Sequence, residues 1–207
     1  MKVLLINGSP HVRGCTYTAL SEVASELINQ GISTQIFHIG TDPIAGCIAC
    51  GACRKNGGRC FRNDVVNEVM SLAAQSDGIV LGSPVYYASI SGQLSSFLDR
   101  LFFAGSALMA NKPGAAVVSC RRGGASAAFD ALNKYFTISN MPVVSSNYWN
   151  QVHGSNPAEV KQDEEGMQTM RQLGLNMAFM IKAIKLGLQE YGSPKLQEKI
   201  TETHYIR

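Results

Sequence analysis

Met1-Lys2-Val3-Leu4-Leu5-Ile6-Asn7-Gly8-Ser9-Pro10-His11-Val12-Arg13-Gly14-Cys15-Thr16 decides the fold. Its first six residues are an apolar, branched run, the pattern of a buried strand. A loop of glycine, hydroxyl and proline residues follows, and from Thr16 to Gln30 the apolar positions Leu20, Val23, Ala24, Leu27 and Ile28 fall on one helical face. A strand, such a loop and then a helix N-terminus form an anion site in α/β proteins. Free backbone N–H groups and the positive end of the helix dipole both face the ligand.

The ligand class narrows by elimination. A triphosphate loop needs a Gly-Lys-Ser/Thr ending, but Gly14 is followed by Cys15-Thr16. The dinucleotide pattern G-x-G-x-x-G is also missing, because Gly8 is followed by Ser9-Pro10. The loop offers Ser9, Thr16, Thr18 and backbone N–H groups, with His11 and Arg13 nearby, which suits a terminal phosphate monoester. The plain alternative is a tight strand–helix turn without a ligand.

Strands and helices continue to alternate. Ser33 to Ile39 reads as a second strand, and Asp64 as the N-cap of a helix through Val65, Val66, Val69, Met70 and Leu72. Gly78 to Leu81 is a third strand, followed by a helix from Gly92 to Phe103. Gly114 to Ser119 is a fourth strand. Gly123-Gly124 opens a helix through Phe129, Leu132 and Phe136, and Met141 to Val144 starts a fifth strand. Five strands separated by helices predict a parallel sheet covered on both faces. Residues 153 to 165 are polar and break the pattern. Met167, Met170, Leu173, Met177, Ile181, Ile184 and Leu188 then mark a long helix that covers one sheet face. Its methionines also suit an adaptable dimer face. The tail from Gly192 to Arg207 is polar and packs on a partner subunit or stays loose.

Composition excludes other classes. The 207 residues are 45% apolar and 16% charged with a net charge of +3, as expected of one globular domain. No basic run marks a nucleic-acid partner, and no stretch approaches the roughly twenty apolar residues of a membrane span. The N-terminal apolar run is too short for a signal peptide, so a cytoplasmic location with reduced thiols is expected.

In a doubly wound sheet the loops after strands one, three and four meet. Gly82-Ser83-Pro84-Val85-Tyr86-Tyr87 places two rings behind a rigid proline, able to wall a flat aromatic ligand. Ser119-Cys120-Arg121-Arg122-Gly123-Gly124 lets backbone approach a ligand closely, with Arg121 available to a ring carbonyl or an anion.

A separate loop from Gly40 to Arg62 carries Cys47, Cys50, Cys53 and Cys60 in a C-x2-C-x2-C-x6-C run. Close spacing lets thiolates converge on a soft metal centre, and four cysteines are the ligand set of a [4Fe–4S] cluster and of structural zinc. Free thiols or a redox-active pair are the other readings. Arg54, Lys55, Arg59 and Arg62 make the loop basic.

Gly8-Ser9-Pro10 with Gly14-Cys15-Thr16, then Gly82 to Tyr87, then Gly123-Gly124, resemble the flavodoxin-like NAD(P)H-dependent FMN reductase family over residues 1 to 154. The resemblance implies a five-stranded parallel sheet in the order 2-1-3-4-5. Residues 155 to 207 then form a C-terminal helix and tail of the same domain. It further implies that Ser9, Val12 to Thr16 and Thr18 hold the FMN phosphate, with His11 beside it. Pro84 to Tyr87 would line the ring and Ser119 to Gly124 its far edge, NAD(P)H being the reductant. The acceptor would be a quinone, nitroaromatic, flavin or other small molecule, and the assembly a homodimer or homotetramer. No conventional acid–base residue is required. His153, in Ser145 to Gly154, is a candidate proton donor against the plain reading of a polar surface histidine. The cysteine run resembles that of iron–sulfur flavoproteins, where a cluster relays electrons to or from FMN and a ferredoxin-like protein is the partner. A non-enzymatic zinc module is the remaining alternative.

Overall fold

The computed structural model describes residues 1–194, 201 and 203. Five parallel strands, β1 (Lys2–Asn7), β2 (Ser33–His38), β3 (Gly78–Pro84), β4 (Gly114–Cys120) and β5 (Gln151–His153), form one sheet in the order β2-β1-β3-β4-β5. Among the described residues seven helices connect and cover the strands: α1 (Cys15–Asn29), α2 (Ala52–Lys55), α3 (Val65–Ala74), α4 (Gly92–Met109), α5 (Ala125–Ile138), α6 (Pro157–Gln162) and α7 (Glu164–Tyr191). This is the doubly wound parallel sheet that the alternation of elements predicts, in the strand order that the family resemblance implies.

Side chains along a strand alternate between faces, and β1 uses both. Leu4 and Ile6 join Ile79, Leu81, Phe97 and Phe136 beneath α3, α4 and α5. Val3 and Leu5 join Val80, Val117, Leu20 and Leu173 beneath α1 and α7. Burial on both faces accounts for the near-continuous apolar run in this strand. The long C-terminal helix does cover a sheet face. A Cβ at Gly78 would lie 3.1 Å from Ile181 Cδ1, and Arg171 Nη1 donates to Glu22 Oε1 across α1 and α7 at 2.6 Å.

Several boundaries differ from the sequence reading. Met141 to Val144 is not the fifth strand. It makes one bridge, Gly114 to Val143, with Gly114 N donating to Pro142 O and Val144 N to Gly114 O. Pro142 has no N–H to extend the ladder, so the chain swings out through Ser145–Trp149 and rejoins β4 at Asn150, whose carbonyl accepts from Val118 N. The pairing that makes β5 then runs from Gln151 to His153 against Val118 to Cys120. The polar stretch 153–165 contains α6, started by Asn156, whose side chain accepts from Ala158 N and Glu159 N, with Pro157 in the first turn. α4 extends past Phe103 to Met109, which is buried. Most of the tail expected from Gly192 to Arg207 lies outside the described residues. No helix among the described residues is long and apolar enough to cross a membrane.

Candidate functional site

The loops after β1, β3 and β4 are tied to one another by hydrogen bonds. Gly8 N donates to Gly82 O at 2.9 Å. Ser91, the N-cap of α4, accepts from Leu94 N and donates to Gly8 O at 2.8 Å. Ser91 N donates to Ser83 Oγ, which donates to Pro84 O. Val85 N donates to Ser119 O at 2.9 Å, and the Thr16 and Ser119 hydroxyls meet at 2.9 Å. The loop after β5 joins the same edge: Gly154 N donates to Cys120 O and Cys15 Sγ to Gly154 O.

Within the first loop, Asn7 organises the turn. Its Oδ1 accepts from Ser9 N at 3.1 Å and its Nδ2 donates to Val12 O at 3.2 Å. Ser9 is buried, its Oγ accepts from His11 N, and its carbonyl lies 2.8 Å from His38 Nε2. Gly14 caps α1 without a side chain, so the first-turn N–H groups of α1 keep the open donors of a helix start. His11, Val12 and Arg13 are exposed at the rim.

Thr16 ties its loop to the one after β4. Its hydroxyl is buried against Ser119, because position 16 falls on the sheet side of α1. Thr18 Oγ1 donates back to Gly14 O. Burial raises the pKa of the Cys15 and Cys120 thiols, which keeps both neutral.

The third loop is a tight turn. Tyr86 and Ser89 exchange both backbone hydrogen bonds at 2.9 Å, with Tyr87 and Ala88 at φ 49° and 56°. Two successive non-glycine residues in left-handed backbone cost about 1–3 kcal/mol each. The turn presents Tyr86 half-exposed and Tyr87 fully exposed at the sheet edge. Gly124, at φ 87°, packs directly on it: a Cβ there would lie 2.8 Å from Ala88 Cα and 3.1 Å from Val85 Cγ1. Arg121 and Gly123 are exposed alongside.

His153 sits at the end of β5, and its backbone N–H donates to Asp163 Oδ2 at 2.6 Å. Its Nδ1 lies 3.5 Å from the same oxygen, and the ring is 42% exposed. Asp163 also caps α7 through Gly166 N. His153 is thus an anchored edge residue.

The cysteine loop docks on α4. Gln93 Nε2, in the first turn of α4, donates to Gly40 O and Asp42 O at 3.0 Å each. Cys47, Cys50, Cys53 and Cys60 all line one narrow cleft, together with Phe61, Arg100 and Phe103. All six cysteines are free. Among the described residues no three His, Cys, Asp or Glu side chains converge closely enough to hold a single metal ion. Four thiols lining one cleft are the donor set of an iron–sulfur cluster and of structural zinc alike.

Sequence reasoning missed two residues at this cleft. Arg100 is buried on α4 and reaches both Cys60 and Asp64. Burial alone would lower its pKa, but the hydrogen bonds with Asp64 and Cys60 hold it above the ordinary value. Asn67 clamps the Cys60 backbone, accepting from its N–H and donating to its carbonyl at 2.9 Å each. The available signal was an arginine three residues after Phe97, on an otherwise apolar helix face.

Residues 1–155 match the NADPH-dependent FMN reductase model. The chain belongs to that family. This reductase-family member is 34% identical over 194 residues to an iron–sulfur flavoprotein of Methanocaldococcus jannaschii, covering 89% of this chain and all of that one. Among solved structures it is similar to RosB with the bound intermediate 8-demethyl-8-formylriboflavin-5'-phosphate, at a TM-score of 0.71 and 13% identity, over 100% of this chain and 92% of that one. It is likewise similar to a flavodoxin from the domain Archaea, at a TM-score of 0.60 and 14% identity, over 88% and 99% of the two chains. Family membership makes the protein an NAD(P)H-dependent FMN reductase-like oxidoreductase and sets aside the non-enzymatic zinc module.

The hydroxyl relay between the loops yields a first prediction. Ser91→Ala removes the α4 cap and leaves Gly8 O without its donor, at an expected total of roughly 1–3 kcal/mol. Denaturant unfolding of the FMN-free protein should show that loss, and FMN affinity should fall with it. An unchanged midpoint would mean that the relay contributes nothing to joining the two loops.

Proposed function

We propose that this reductase-family protein is an iron–sulfur flavoprotein, in which a [4Fe–4S] cluster on Cys47, Cys50, Cys53 and Cys60 exchanges electrons with an FMN at the sheet edge. The observation that carries the reading is the single cleft lined by all four cysteines, backed by buried Arg100 on α4. The same helix begins at Ser91, within the flavin-side loops. At 1.5 Å rise per residue, Arg100 lies roughly 10 Å along α4 from Gln93. The two redox centres would thus share one rigid support.

Bound FMN supplies hydride chemistry from NAD(P)H and onward electron release. The chain's residues bind and orient it. The Ser9 to Thr16 loop takes the phosphate through N–H groups and the Ser9 hydroxyl. The Pro84 to Tyr87 turn walls the ring, and Ser119 to Gly124 faces its far edge. Arg54, Lys55, Arg59 and Arg62 offset the negative charge of a four-thiolate cluster. A ferredoxin-like protein or a small acceptor completes the circuit.

Anaerobic purification tests the reading. Brown protein with about four irons and four sulfides per chain, equimolar FMN and a flavin band bleached by NADPH is the expected result. Stoichiometric FMN with no iron, even after anaerobic reconstitution with ferrous iron and sulfide, would leave a reductase that serves a small acceptor without a cluster.

A further inference from the structure

We propose that Arg100 is a positioning residue for the cysteine site, fixing Cys60 and raising the reduction potential of the cluster; this rests on the iron–sulfur reading above. Nε and Nη2 of Arg100 donate to Cys60 Sγ at 3.4 and 3.3 Å. Nη1 donates to Asp64 Oδ2 at 2.6 Å and to Ala45 O at 3.3 Å, and Nη2 to Asp64 Oδ1 at 2.9 Å. A guanidinium has five N–H donors, and each is used here. The side chain is 1% exposed.

A purely structural arginine would need only the bidentate Asp64 pair. Here the fork also reaches both ends of the cysteine loop, Ala45 before the first cysteine and the sulfur of the last. Asp64 is itself fixed as the α3 N-cap, accepting from Val66 N. Asn67, on the same helix, holds the Cys60 backbone. Cys60 is therefore oriented from α3 and α4 together. The other three cysteines sit on the exposed part of the loop or on short α2. Hydrogen bonds to a ligating sulfur favour the more negative, reduced state of a cluster, and the Arg100 charge itself is balanced by Asp64.

The test variant is Asp64→Asn with Arg100→Met. Asn remains a good N-cap, and exchanging a buried ion pair for an apolar side chain of similar size is often neutral for stability. Reconstituted with ferrous iron and sulfide, the double variant should keep its FMN and show a more negative cluster midpoint potential than wild type. Arg100→Lys keeps the charge but loses the fork, so it should fall between the two. In cluster-free protein, trypsin should cut the double variant at Arg54, Lys55 and Arg59 roughly tenfold faster, because the loop opens more often. An unchanged potential at full iron content overturns the tuning role, and unchanged proteolysis overturns the positioning role. Wild-type protein that takes up no iron overturns the cluster reading and the tuning role with it. The proteolysis comparison still decides, separately, whether Arg100 holds the loop.

Discussion

Replacing Cys47, Cys50, Cys53 and Cys60 together with serine is expected to abolish iron binding while FMN stays bound. Iron should fall from about four per chain to none, since a hydroxyl is a poor substitute for a thiolate toward iron. FMN affinity should stay within about twofold, a difference of under 0.5 kcal/mol. The argument is topological. The bonds that join the flavin-side loops run through Gly8, Gly82, Ser83, Ser91, Ser119 and Thr16, and none of these residues lies on the cysteine loop. That loop is held instead by Gln93, Arg100 and Asn67. A hydroxyl at position 60 can still accept from Arg100, so the loop keeps its anchor. Under anaerobic conditions NADPH should still bleach the flavin, while electron exchange with a ferredoxin-like protein should disappear. Metal analysis and flavin absorbance of the same preparation check both halves. Loss of FMN along with iron would mean that the loop supports the flavin pocket.

The sheet was legible because its three central strands are buried on both faces. Val3 to Ile6, Gly78 to Leu81 and Gly114 to Ser119 are short runs between turn residues, and no helical period competes with them. Asp64 was legible as a cap because capping is local, and its side chain does accept from Val66 N. β5 was not, because what separates it from Met141–Val144 is pairing to β4, a contact invisible along the chain. The apolar run there pairs with β4 only at Gly114, and a polar excursion precedes the true strand. The hydroxyl of Thr16 illustrates the same limit at the site. Residue type suggested a phosphate ligand, and nothing along the chain announced that the same hydroxyl also meets Ser119. Arg100 was hidden because its meaning depends on Ala45, Cys60 and Asp64, brought to it from the two ends of the cysteine loop and the start of α3. The four cysteines, by contrast, announced themselves through spacing, and they do line one cleft.

Gly124→Val is expected to weaken FMN binding about 30-fold or more while the sheet stays folded. Gly124 lies at φ 87°, where an L side chain costs about 1–2 kcal/mol and a β-branched one more. The added Cβ would meet Ala88 Cα at 2.8 Å and Val85 Cγ1 at 3.1 Å. The nearer atom is backbone, and Ala88 already occupies a left-handed conformation beside Tyr87. The turn cannot absorb the collision by a rotamer change, so it must move away from the β4 loop. Overpacking of this kind costs typically 1–3 kcal/mol. About 2 kcal/mol of that falling on the flavin-facing geometry gives the 30-fold figure. Gly123→Ala is the matched control. Its Cβ meets nothing within 4 Å, so thermal stability should be unchanged, and a drop in FMN affinity there would come from the ligand itself. Fluorescence titration of FMN-free protein with FMN, alongside thermal melts, separates the two. If Gly124→Val binds FMN as wild type does, the Pro84 to Tyr87 turn does not wall the flavin. The strain at Tyr87 and Ala88 would then need another purpose.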